Sequence, residues 1–342
     1  MIRAPSPMVA SRSLSAMGSG MNASAASTSH YPPSATLIGY AYSALGAVLF
    51  ATKGIFIKLA YAQGLDTETL LALRMVFSVP VFAGIALFIW LRRPRERRPS
   101  PRLLIGGAAV GVLGYFISSW LDFTGLSYLS AQLERLILFT YPFFTIIFAA
   151  LLLRHPIKPH SIAGAAVSYA GLLLVMLKSG HAGHGAIATG GAFVLAAAVS
   201  FGLYQVLARE FIVRMGGDFY TGLAMSTAGI CAFVLFGATG HHLADFAVSP
   251  KAMGIAAGLA LFATIFPAFA MAAGLGRIGA QGTAVIGTLS PLVTTVLAVV
   301  LLGEPFGMVD AIGTLLVVGG VGLYTVIDSR ARARPAAPVS QA

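Results

Sequence analysis

Six charged residues stand inside long apolar runs of this chain: Lys53, Lys58, Arg74, Asp122, Glu134 and Arg135. A charge at the centre of a bilayer costs about 2.5–3.5 kcal/mol on insertion scales, so such residues face a bundle interior or a wet cavity. Two uses fit these residue types. In one, Asp122 with Arg135, and Glu134 with Lys53 or Arg74, are structural ion pairs that fix helix positions. Lys58 then reaches the outer interface along its aliphatic stem. In the other, some cations stay unpaired and hold a carboxylate or phosphate of a small molecule. A third use, Glu134 as a proton carrier, is disfavoured because four nearby cations support its ionised form.

Hairpin symmetry orders these charges by depth, at 1.5 Å per helical residue. One turn centres near Tyr128, with Asp122 before it and Glu134 and Arg135 at matching distance after it. Another turn centres near Gly64, and Lys53 and Arg74 lie farther from it, one layer deeper. The spacing therefore predicts Asp122–Arg135 as the structural pair. Lys53, Arg74 and Glu134 are the candidate substrate-binding charges, with Lys53 the deepest. Tyr204 and Gln281 supply neutral hydrogen-bonding groups from the second half of the chain and complete the candidate set. Pro142 and Pro291 fall inside apolar runs, where each removes a backbone hydrogen bond and favours a kink; both are candidate hinges.

No constellation of catalytic residues is present. The sequence has no Walker motif, no HExxH and no nucleophile elbow, so neither an enzyme nor a nucleotide-driven pump is expected, and no cofactor is implied. His181 with His184, and His241 with His242, lack an accompanying carboxylate or cysteine motif and read as solvated loop histidines, not metal ligands. Cys231 is the only cysteine, which excludes an internal disulfide and fits a small packed core residue.

The elements that must position these residues are spanning helices. Apolar runs recur near 37–61, 69–91, 103–126, 130–153, 161–178, 187–208, 219–238, 253–275, 280–302 and 309–327. Each approaches the roughly 20 residues that cross a bilayer. The first run is long enough to span, so it reads as a membrane helix and not a cleaved leader. Residues 1–35, rich in Ser, Ala, Met and Gly, and residues 329–342, rich in Arg, Ala and Pro, read as disordered cytoplasmic tails.

Composition agrees. Of 342 residues, 57% are hydrophobic and 10% charged, and the mean hydropathy is +0.86. A soluble domain carries about 25% charged residues, so a water-soluble enzyme or nucleic-acid-binding domain is excluded. The net charge of +11 has a membrane explanation. With both termini in the cytoplasm, sixteen Lys and Arg fall on cytoplasmic segments, and only Lys178 and Lys251 fall outside. That split follows the positive-inside rule and places the chain in the cell membrane as a multi-pass protein.

The chain also repeats itself. Residues 126–178 overlay residues 275–327 at a shift of 149 without a gap. Matched pairs include Ala131/Ala280, Gln132/Gln281, Pro142/Pro291, Thr145/Thr294, Pro156/Pro305, Gly164/Gly313 and Gly171/Gly320. Residues 36–178 and 187–328 then form two five-helix halves. Five is odd, so the halves are inverted relative to each other, the arrangement of alternating-access transporters. The expected fold is an all-α integral membrane protein of ten helices in two inverted five-helix repeats.

Ser290-Pro291, the run Leu301-Leu302-Gly303-Glu304-Pro305, and Gly313 and Gly320 resemble the second repeat of the drug/metabolite transporter superfamily, EamA type. Pro142, Leu151–Leu153, Gly164 and Gly171 are similar to its first repeat. That repeat carries Arg154-His155-Pro156 where the family has Gly-Glu-Arg or Gly-Glu-Pro. The resemblance implies a central cavity and export or exchange of a small metabolite. The expected partners are the lipid bilayer and that metabolite, with no nucleic acid, and the oligomeric state is open. The lopsided charge favours an anionic or zwitterionic solute such as an amino acid or organic acid. A passive facilitator and a proton-coupled drug exporter are the alternatives.

Overall fold

A computed structural model describes residues 33–154, 156–179 and 184–333; the side chains of 33–35, 179, 184, 280–281 and 328–333 lie outside the description. The described residues form helices and connecting loops with no strand. Ten helices are long and apolar enough to cross a membrane. They are α1 (Thr36–Tyr61), α2 (Thr67–Arg92), α3 (Pro101–Tyr128), α4 (Ala131–Leu153) and α5 (Pro159–Lys178), then α6 (Gly185–Met215), α7 (Gly217–Ala238), α8 (Pro250–Gly279), α9 (Gly282–Leu302) and α10 (Met308–Ile327). In hydrocarbon every backbone N–H and C=O must be satisfied within the protein, and a helix does so locally.

Several spans start where the sequence supplies a cap. Asp66 accepts from Thr69 N at 2.7 Å, Ser130 from Leu133 N at 3.1 Å and Ser249 from Ala252 N at 3.2 Å. Each satisfies an N–H that the first helical turn leaves unpaired. Most of residues 1–35 lies outside the description, although a helix already begins at Pro33. At the other end the helix continues to Ala333, past the expected tail boundary at 329, because Arg and Ala are strong helix formers.

Interior helices meet in antiparallel seams lined with small residues. On the α5–α10 seam, a Cβ on Gly164 would stand 2.7 Å from the Gly320 carbonyl oxygen, and one on Gly171 would stand 2.7 Å from that of Gly313. Only glycine permits this approach, and close backbone contact is how helices gain van der Waals packing in lipid. These are the same four glycines that match across the repeat, with partners exchanged: Gly164 faces Gly320 and its equivalent Gly313 faces Gly171, as an approximate two-fold axis between the halves requires.

Irregularities obey the same shift. A π-turn at Val112–Ile117 in α3 recurs at Leu261–Ile265 in α8. Helical segments within α4 end at Leu138 and resume at Tyr141; within α9 the helix resumes at Ser290. Pro142 and Pro291 each sit in the first turn after these breaks, where a missing N–H costs nothing. Left-handed residues, Arg154 at φ 55° and Gly303 at φ 66°, end both helices. One break has no partner: α1 is interrupted at Thr52, whereas α6 lies within an unbroken helix, His184–Met215.

A buried apolar core including Ile57, Leu70, Leu71, Phe123, Leu126 and Leu259 fills the end of the bundle opposite the termini. Arg74, Asp122, Glu134 and Arg135 are buried as well, whereas Lys53 and Lys58 are half-buried.

Candidate functional site

The break at Thr52 organises the site. Just before it, the carbonyls of Phe50 and Ala51 are taken up by side chains from the fourth and ninth spans. Arg135 Nη2 donates to Phe50 O at 2.7 Å, and Thr294 Oγ1 donates to Ala51 O at 2.9 Å. Arg135 Nε also donates to Thr294 Oγ1 at 3.2 Å, and the guanidinium lies 5.2 Å from the Phe50 ring centroid. Broken spans persist in membranes only where such partners exist. Arg135, 4% exposed, is therefore a splice between helices.

Just after the break, Lys53 Nζ forms a salt bridge with Asp122 Oδ2 at 2.5 Å, with side-chain exposures of 11% and 1%. This corrects the expected pairing. Asp122 and Arg135 share a depth and feel each other's charge, but the direct contact to Asp122 comes from Lys53. The candidate substrate cation of α1 is thus neutralised in this conformation. Glu134 turns toward Asp122, and the two carboxyls come within hydrogen-bonding reach. Its Oε2 would lie 3.4 Å from a Cβ on Gly54, an ordinary van der Waals contact that places α1 against α4.

Arg74 is the cation that remains. It is 5% exposed, lies 5.0 Å from the Phe123 ring centroid, and its Nε has no hydrogen-bond partner. Asp122 acts on it through space, yet no ion pair or hydrogen bond to Arg74 occurs among the described residues. Lys58, expected at the outer interface, lies in the field of Glu304.

Tyr204 belongs to a different cluster. Its ring packs against Gly114 in the α3 π-turn, edge-on to Tyr115 at 5.3 Å and stacked with Phe201 at 5.6 Å. Lys53, Arg74, Asp122, Glu134 and Arg135 are brought together; Tyr204 is not. The side chain of Gln281 and all of His181 lie outside the described residues. A cleft of about 510 Å³ runs between α1 and α8 toward the end carrying the termini. Tyr42, Leu49, Phe262, Phe266 and Phe269 line it, with Arg277 at its mouth. It does not reach the charge cluster.

Sequence reasoning missed two residues. Thr294 appeared only as a repeat match, and Glu304 only within a motif. The Glu304 carboxylate accepts from Ala131 N at 2.6 Å and from Gln132 N at 3.2 Å, so the α9–α10 loop caps the first turn of α4. A carboxylate on a helix N-terminus is favoured by the helix dipole. Its repeat equivalent is His155, so the carboxylate has no counterpart in the first half. At the same end, His241 Nε2 lies 3.0 Å from Asp66 Oδ2, so this loop histidine bridges to the residue that caps α2. Burial would push the Asp66 carboxyl up, but bonds from Thr69 and His241 outweigh it and hold the group below the usual carboxylate range.

The described helices match the EamA-like transporter family twice, over residues 37–177 and 188–326. The chain belongs to the EamA-like transporter family. Among its relatives, the uncharacterized transporter YcbK of Bacillus subtilis is 30% identical over 80% of this chain and 88% of its own length. The probable terminal-alkyne amino-acid exporter of Streptantibioticus cattleyicolor is 29% identical, over 68% and 75%. The aromatic amino acid exporter YddG of Ancylobacter novellus is 25% identical, over 87% and 99%. A solved crystal structure superposes with a TM-score of 0.56 at 21% identity, covering 87% of this chain and 99% of that one, which is likeness of fold. As an EamA-type protein the chain is a multi-pass membrane transporter of small metabolites.

Proposed function

We propose that the chain is a secondary active exporter or exchanger of a small zwitterionic or anionic metabolite, an amino acid above all, working by alternating access. The observation that carries this reading is Arg74, a buried guanidinium without a counter-ion in a cluster where Lys53 and Arg135 are already engaged. A buried unpaired cation is costly unless something anionic visits it, and a substrate carboxylate is that visitor. Glu134 supplies the complementary charge for an ammonium group. Gln281 in the second half is a secondary contact on this reading, and the breaks ahead of Pro142 and Pro291 are the hinges. The names of two relatives, both amino acid exporters, support the substrate class.

Both termini face the cytoplasm, on the strength of the basic-residue split. The driving force is a gradient or exchange. The test is counterflow in liposomes holding the purified chain. Vesicles loaded with the standard L-amino acids should accelerate entry of at least one radiolabelled amino acid. A passive channel gives no such trans-stimulation, and failure of every amino acid removes the assigned substrate class.

A further inference from the structure

The two buried carboxyls raise a question of proton count. Asp122 and Glu134 are each 1% exposed and lie within hydrogen-bonding reach of each other. Asp122 Oδ1 and Glu134 Oε1 receive no N–H or O–H from the rest of the protein. A hydrogen bond between two carboxyls requires a hydrogen, and two ionised carboxylates in contact inside an apolar core repel strongly. One carboxyl must be the donor. Asp122 is held at its other oxygen by the Lys53 ammonium, which fixes it as the ionised acceptor, so the proton resides on Glu134.

The surrounding charges leave this arrangement intact. From α1, Lys53 is committed to Asp122, the Tyr61 hydroxyl donates to Phe123 O at 2.8 Å, and Lys58 faces Glu304. From α4, Arg135 directs Nε to Thr294 Oγ1 and Nη2 to Phe50 O. From α2, Arg74 acts on Asp122 through space. At this depth α6, α8 and α9 carry no charged residue. Lys53 and Arg135 still act on Glu134 through space, but neither makes an ion pair or hydrogen bond to it among the described residues.

Resting on the transporter reading above, we propose that the Asp122–Glu134 pair is the coupling-proton site, and that a zwitterionic substrate displaces its proton. The substrate carboxylate takes the Arg74 guanidinium. Its ammonium takes the Glu134 carboxylate, and the Glu134 O–H bond breaks, with the proton passing to water on the open side. No bond in the substrate changes. After release on the far side, Glu134 takes a proton from that side. The net event is exchange of one zwitterion for one proton. A substrate bearing only positive charge would meet Arg74 unscreened, so the site favours zwitterions over simple amines.

The test uses the full chain in liposomes with an internal pH dye and the standard L-amino acids as probes. The expected result is about one proton moved against each amino acid. Amino-acid movement without protons overturns the proton site and leaves the transporter reading standing; no movement of any amino acid overturns both. Glu134→Gln should lose proton movement, and because it also removes the partner of the substrate ammonium, its counterflow should fall by about tenfold or more. Proton-coupled flux in Glu134→Gln overturns the assignment to this pair. If that variant is inactive in both readouts, Glu134→Asp decides: proton-coupled flux supports the site, and flux without protons overturns it.

Discussion

Breaking the Lys53–Asp122 bridge should destabilise the protein more than deleting it. With side-chain exposures of 11% and 1%, both charges sit in a water-poor setting where solvent cannot rescue an orphan. Asp122→Asn leaves Lys53 uncompensated, at a cost of about 3–5 kcal/mol. Lys53→Met leaves Asp122 beside Glu134 with only the through-space help of Arg74 and Arg135, at a similar cost. The double variant Lys53→Met/Asp122→Asn removes both charges, and its cost should fall short of the sum by about 2–3 kcal/mol. The same cycle run on Asp122→Asn with Arg135→Gln should give a coupling under about 1 kcal/mol, because Arg135 contacts Phe50 O and Thr294 instead. Denaturant unfolding of the detergent-solubilised protein, followed by tryptophan fluorescence, reads each corner. Additive losses for Lys53 and Asp122, or a larger coupling for Arg135, would refute the pairing.

Other expectations concern the ends of the bundle. Glu304→Gln keeps the side chain's length but removes the charge from the α4 N-terminus, so it should lower stability by about 1–2 kcal/mol. It should also raise maleimide labelling of a cysteine placed at Ser130; unchanged stability and labelling would argue against a cap. For Asp66, whose folded titration is depressed, the stabilisation is present above its unfolded value of about 3.9 and is lost as pH falls through the lower folded value. Asp66→Asn should remove that acid-side slope from the unfolding curves, and an identical slope in the variant would discount the Thr69 and His241 contacts. A cysteine at His242 should react with an impermeant maleimide from outside intact cells, and one at Ser100 should not; the reverse pattern would invert the topology.

Much of the architecture was legible because hydrocarbon imposes a coarse rule. Apolar run length locates spans, basic residues mark one face, and repeat-matched Gly164, Gly171, Gly313 and Gly320 announce a close seam. The site was legible only along one coordinate. Hairpin counting gives depth, and it grouped Asp122, Glu134 and Arg135 correctly. It carries no information about which way a side chain points around its helix, so it paired Asp122 with Arg135 and left Lys53 free. The break at Thr52 was also silent, since no proline or glycine marks it. Its cause is tertiary: Arg135 and Thr294 accept the role of helical donors for Phe50 and Ala51. Tyr204 was selected for its hydroxyl, yet its ring decided its place, packed against Gly114 at the α3 π-turn.

The account's centre is that Arg74 is the unpaired cation which receives the substrate carboxylate. Radiolabelled amino-acid counterflow by Arg74→Gln, compared with wild type at matched folded yield in the same liposomes, addresses it directly. Loss of a charged hydrogen bond to substrate predicts a drop in exchange of about tenfold or more. Wild-type exchange in Arg74→Gln would contradict the account.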